Sequence, residues 1–241
     1  MKKVLVGIVL VAFMFVSLIG RQSVRASDNV ATPTIPSKPV AKIVPNIVDY
    51  GNGFLSWSYG GNVVDKQSTK GAIDLFMDNY LKSRSITANG YRYTLSGSYY
   101  QPYGNGSLGS WFNSNLDFDL PRGFTTRITV IQSTSYALWS GTTPQYNATT
   151  IQITDSFTFY GLGISVSVGT SGGGGSFSIV GNTVNYVGSV VSNVWYTGQM
   201  CSNVTGSGAL TSFAEQSTAH FFFQSALIRD VFVISSNSMW V

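Results

Sequence analysis

The run FNSNLDFDLPRG, Phe112 to Gly123, sets Asn113, Asn115, Asp117 and Asp119 at alternate positions. Oxygen ligands so spaced are what a calcium loop uses, which makes Asp117 and Asp119 the chain's weak metal candidates. The pattern then breaks. The sixth loop position is Phe118 where glycine makes the turn, and the twelfth is Phe124 where a bidentate glutamate closes the site. On a strand the same spacing turns Leu116, Phe118 and Leu120 toward a core and the polar residues outward, and this is the reading adopted. Two carboxylates on one strand face also meet the separation of about 5–10 Å that glycoside hydrolysis asks of its acid and base. No further residue pattern supports that chemistry, so a glycosidase stands third among the functional expectations.

His220 is the one histidine and Cys201 the one cysteine. A serine triad lacks its Gly-x-Ser-x-Gly elbow, and a zinc site lacks ligands. Cys201 with His220 is then the one thiol–imidazole couple available. Nothing in the sequence draws them together, and a buried inert thiol and a hydrogen-bonded structural imidazole are expected instead. Gly172–Gly175 has no Lys-Ser or Lys-Thr behind it, which rules out a phosphate loop and leaves a flexible hairpin tip. No catalytic residue, metal or cofactor is therefore expected. Aromatics remain. GSYYQPYGNGSLGSWF, from Gly97, reads as a Gly- and Ser-rich loop carrying Tyr100, Tyr103 and Trp111, whose rings can stack on a sugar or enter a protein interface. Tyr103 and Trp111 lead, because the small residues beside them cannot shield them.

These residues need a scaffold and a compartment. Lys2 and Lys3 precede an apolar run from Val4 to Ile19, and Val24-Arg25-Ala26 offers a cleavage point, so residues 1–26 are expected to be a signal peptide cleaved after Ala26. The rival reading is a retained anchor, favoured by Arg21 and Arg25 beyond the apolar run. Four of the 14 basic residues lie in this segment, and the remaining ten balance the ten acids. The exported chain is formally neutral and offers no basic patch for nucleic acid. A lone cysteine forms no internal disulfide, so stability must come from burial. Residues 27–45 hold Pro33, Pro36, Pro39 and Pro45 and are expected to form a disordered tether. Residues 46–241 are expected to form one β-rich domain, secreted and extracellular.

Within it, Ile73, Phe76, Met77, Tyr80 and Leu81 recur at helical spacing, predicting one short amphipathic helix over about 70–82, capped by Ser68 or Thr69. Elsewhere the period is two: Tyr91–Leu95, Leu116–Leu120, Arg127–Ser133 and Thr149–Phe159, with final strands over 220–224 and 229–234. Gly and Asn punctuate them. Many short strands with one helix predict a mainly β fold, an antiparallel β-sandwich or flattened barrel.

From Gly163 to Val191 the chain carries no charged residue. In composition, though in no alignable motif, the segment 151–196 resembles the Ser/Thr-rich insertion hairpins of aerolysin-like pore formers. That resemblance implies a pore-forming toxin or bacteriocin-like effector, the second functional expectation, and only then a membrane partner. A membrane leg should keep one phase for about 9–11 residues. Here the apolar positions are odd through Phe159 and even from Leu162, which demands a bulge or turn at Tyr160-Gly161. Short broken legs suit a sandwich. The leading expectation is thus a secreted, non-catalytic protein acting by surface binding of a polysaccharide, such as that of a cell wall, or of a partner protein.

Overall fold

The computed structural model describes residues 43–51, 53–83, 91–119, 125–169, 175–224 and 227–238. The expected signal peptide, all but the last three tether residues, and Gly172–Gly174 lie outside them. Residues 41–241 form one compact unit.

One helix, α1 (Lys66–Lys82), starts a turn earlier than the periodicity predicted. The reason is its cap. Asp65 Oδ1 accepts the Ser68 N–H at 3.0 Å, satisfying one of the donors that a helix N-terminus leaves bare, so neither Ser68 nor Thr69 is needed there. Ile73, Met77 and Leu81 form its buried stripe, and Lys82 lies in the last turn as the helix dipole favours.

All other regular structure among the described residues is antiparallel sheet. The strands are β1 (Asn46–Gly51), β2 (Phe54–Tyr59), β3 (Tyr91–Tyr103), β4 (Gly106–Asp119), β5 (Thr126–Trp139), β6 (Ala148–Val168), β7 (Ser176–Val180), β8 (Thr183–Val187), β9 (Val191–Val194), β10 (Tyr196–Cys201), β11 (Val204–Phe223) and β12 (Leu227–Ser238). Their main path runs β1-β2-β10-β5-β11-β6-β8-β7, with β4 and then β3 added beside β5, β9 beside β6 and β12 beside β11. The fold is mainly β, as expected. Strand length is the correction: β6 has 21 residues and β11 has 20. The final strands, placed over 220–224 and 229–234, are the end of β11 and the middle half of β12.

The continuity of β6 comes from Gly161. The register against β11 slips on either side of Leu210, and Gly161 sits opposite it with φ +149. A Cβ there would lie 2.1 Å from the Ala209 carbonyl oxygen, so only glycine fits between the two slips, the extra β6 residue lying between Leu162 and Ser165 and the extra β11 residue between Leu210 and Ser212. The phase change read as a break is a bulge inside one long strand.

The sheet curls on itself, so the inner faces of β4, β5 and β10 look across at those of β6 and β11. Two apolar clusters fill the fold. One holds Phe112, Leu116, Phe118, Phe157, Phe159, Val184 and Phe213. The other holds Trp139, Ile151, Ile153, Phe221 and Phe223, and includes α1 packed with Leu55, Trp57, Leu138 and Tyr196. The described part of segment 151–196 is paired into the sheet, β6 with β11 on one edge and with β8 and β9 on the other; its Phe157, Phe159, Val184 and Tyr186 are core, while Leu162, Ile179 and Val180 are exposed.

Candidate functional site

Alternation on β4 and β5 sends Ser114, Ser133 and Ser135 inward, so Trp111, Asn113, Asn115, Gln132, Thr134 and Tyr136 share the outer face. Trp111 stands directly opposite Tyr136 in the β4–β5 register, and their rings stack with centroids 5.1 Å apart at 5°. Tyr100 of β3 continues the stack on Trp111 at 6.1 Å and 23°. Gly109, its cross-strand partner, makes the room, since a Cβ there would meet the Tyr100 ring at 2.5 Å. Tyr196 of β10 stacks on Trp111 at 5.9 Å and on Tyr136 at 6.3 Å. The four rings form a ladder across four strands.

Helix α1 clamps the ladder's inner end. Lys70 Nζ lies 4.5 Å from the Trp111 ring centroid and 2.5 Å from Asp74, whose carboxylate also accepts the Tyr196 hydroxyl. Burial, with Asp74 adding to it, holds the Tyr196 phenol well above its usual range and raises Tyr100. These phenols therefore stay neutral, and they offer ring faces and hydroxyls rather than acid–base chemistry. Tyr100, 48% exposed, ends the ladder with a ring open to solvent.

Beside the ladder runs a groove of about 270 Å³, between Asp78, Leu81 and Lys82 of α1 and Asn113, Asn115, Gln132, Thr134 and Tyr136 of the sheet. Its floor is amide and hydroxyl, and its one carboxylate and one ammonium balance. The contacts within this face are long, 3.4 Å from Thr94 to Asn115 and 3.3 Å from Gln132 to Thr134, which leaves hydrogen-bonding capacity for a ligand.

The structure brings Tyr100 and Trp111 together and sets Tyr103 apart. The stretch read as a loop is a hairpin, β3 and β4 joined at Gly104-Asn105. Tyr103 therefore falls on the inner side, half-buried against Trp139 at 5.8 Å and Phe223 at 5.2 Å. Trp111, expected to stand unshielded, is half-buried between Tyr100 and Tyr136 under Lys70. Asp117 and Asp119 lie farther along the outer face, opposite Arg92 and Arg127 in the strand registers, where cross-strand charge complementarity accounts for them. Leu116 and Phe118 point inward as the strand reading required.

Cys201 is buried on β10, not in a polar turn, and burial raises its thiol well above the usual value. His220 is held on β11 by Asp230, 2.9 Å from Nδ1, and Thr154, 3.2 Å from Nε2. Cys201 faces the core opposite Ser133 of β5, whereas His220 stands opposite Gln152 of β6 on the outer face of β11, so they form no dyad. Sequence reasoning missed Gln132, which lies in a run read only as a strand, and Thr134 and Tyr136, which lie beyond the expected end of that run. It also missed two inward carboxylates. Asp155 and Glu215 are fully buried on β6 and β11, Asp155 accepting Ser135 Oγ and Gln199 Nε2, each at 2.7 Å, and Glu215 accepting Ser133 Oγ at 2.5 Å.

No family model and no curated protein matches the sequence. Among solved structures the chain is similar to a collagen-binding domain from a Staphylococcus aureus adhesin, at 11% identity over 48% of this chain and 91% of that one, TM-score 0.21. It is also similar to the Enterococcus faecalis MSCRAMM ACE, described as binding its ligands by the collagen hug model, at 9% identity over 76% and 88%, TM-score 0.23. A third likeness is to a structure of manganese lipoxygenase of Gaeumannomyces graminis with part of zonadhesin of Komagataella pastoris, at 8% identity over 81% and 95%, TM-score 0.24. Likenesses this weak carry no argument about the present chain. The residues themselves do.

Proposed function

We propose that this is a secreted, non-catalytic binding protein that holds an uncharged polysaccharide on the outer face of β3, β4 and β5. The observation that supports it is the groove of amides and hydroxyls between α1 and the sheet, flanked by a ring ladder whose last member, Tyr100, is open. Sugars present apolar C–H faces and many hydroxyls, and such a site answers both, with stacking from Tyr100 and hydrogen bonds from Asn113, Asn115 and Gln132. The balanced charge of the groove favours a neutral polymer over an acidic one. The pore-forming alternative draws no support from segment 151–196, whose Phe157, Phe159, Val184 and Tyr186 fill the core.

Retention of the protein on insoluble cell-wall polysaccharide tests the reading. Tyr100→Ala combined with Asn113→Ala is expected to reduce retention about tenfold, since one stacked ring and one hydrogen-bonding amide together supply about 1.4 kcal/mol or more. Unchanged retention by that double variant, or no retention by the parent protein, counts against the site.

A further inference from the structure

Asp155 and Glu215 have no part in the outer groove, and their placement calls for its own account. In the β6–β11 register Asp155 stands opposite Ser217, and Glu215 lies one rung along, opposite Phe157. Across the curled sheet, the inner faces of β5 and β10 present Ser133, Ser135 and Gln199, with Ser114 beside Ser133 on β4. The result is a polar belt between the two apolar clusters, closed to water: Glu215, Ser133, Ser114 and Ser217 are all wholly buried. Both Asp155 oxygens receive donors. Glu215 Oε2 has no well-aligned donor; the neighbouring Ser114 hydroxyl favours the ionised Glu215 and the Ser217 hydroxyl the ionised Asp155, but burial outweighs both.

A buried carboxylate oxygen without a donor is costly, and two ionised carboxylates sharing one dry belt cost more. One proton removes both difficulties, because a protonated Glu215 becomes a donor as well as an acceptor. Among the described residues no lysine, arginine or histidine pairs with either carboxyl. The titratable side chains that face the pair are Cys201 of β10 and Tyr186 of β8, both neutral.

We propose that Asp155 and Glu215 share a single proton and act as a pH-set lock between the two faces of the curled sheet, tight in acid and loosened as the medium turns alkaline. Burial first, and then the charge of Asp155, lifts Glu215 from 4.5 to about 8, and burial also raises Asp155. The sign follows. Between about 4.5 and about 8 the folded chain keeps a proton that the unfolded chain has released, so stability is full below that window and falls as pH rises through it. Because β4 and β5 carry the serines of the belt on one face and the amides of the groove on the other, loosening the belt also loosens the groove. That last consequence rests on the proposed binding function; the lock itself is read without any ligand.

The test is thermal unfolding of the intact protein between about pH 5 and about pH 8.5, in the parent and in Glu215→Gln. The amide imitates the protonated acid but cannot ionise. The parent Tm is expected to fall by on the order of 5 °C across the range, and Glu215→Gln should flatten most of that slope. A variant that keeps the parental slope overturns the proposal. Should the variant fail to fold, infrared spectroscopy of the parent in heavy water decides: a protonated-carboxyl carbonyl band at neutral pH, lost on alkalinisation, is expected. A spectrum without that band overturns the lock, as does a parent Tm that rises with added calcium, falls with chelator and ignores pH, because a cation would then occupy the belt in place of the proton.

Discussion

The two faces of β4 and β5 carry polar residues in equal measure and use them in opposite ways. Outward, Asn113, Asn115 and Gln132 meet solvent along a groove, with Thr134 buried beneath them. Inward, Ser114, Ser133 and Ser135 are wholly buried and meet Asp155 and Glu215. The difference teaches that polarity on a strand says little until its facing layer is known. An exposed amide keeps water as its alternative partner and costs little to lose. A buried hydroxyl or carboxylate has only the partners the fold supplies, and removing one strands the others.

Substitutions that break the contrast should be ordered accordingly. Asp155→Ala leaves Ser135 and Gln199 as buried donors without an acceptor, and urea unfolding should show a loss of about 3 kcal/mol. Tyr103→Ala opens a partial cavity beside Trp139 and Phe223, with an expected loss of about 2 kcal/mol. Its retention on polysaccharide, measured where the variant is fully folded, should match the parent. Asn115→Ala, on the outer face, should leave stability within about 0.5 kcal/mol while lowering retention severalfold. If Asn115→Ala proves as destabilising as Asp155→Ala, the two faces do not differ in the way described.

Much of the fold was legible. Period-two alternation found the first five residues of β3, the end of β4 and the first halves of β5 and β6, and helical spacing found the buried stripe of α1. The phase change at Tyr160-Gly161 correctly demanded a bulge or turn. Strand length was not legible, because a bulge at a glycine and a true chain reversal leave the same signature until the partner strand is known. The belt left a readable trace that went unread: Asp155 sits in the inward phase of Ile151, Ile153, Phe157 and Phe159, where an acid is costly unless something answers it. Glu215 occupies the same phase as Phe213 and Ala219. Of the site, Tyr100 and Trp111 were visible as aromatics among small residues, but their meeting with Tyr136 and Tyr196 depends on cross-strand register, which spacing alone does not encode. Tyr103 was misjudged for the same reason. Once the loop is a hairpin, odd positions on β3 near the turn face inward.

Oxidative footprinting of tyrosine and tryptophan side chains, with and without soluble cell-wall polysaccharide, tests the binding face most directly. Tyr91 and Tyr160 are well exposed away from the groove and serve as internal standards. Protection of Tyr100 and Trp111 on adding the polymer, with Tyr91 and Tyr160 unchanged, is the expected result. Protection spread evenly over all four, or confined to Tyr91 or Tyr160, would contradict the assignment of the β3–β5 outer face as the surface this protein uses.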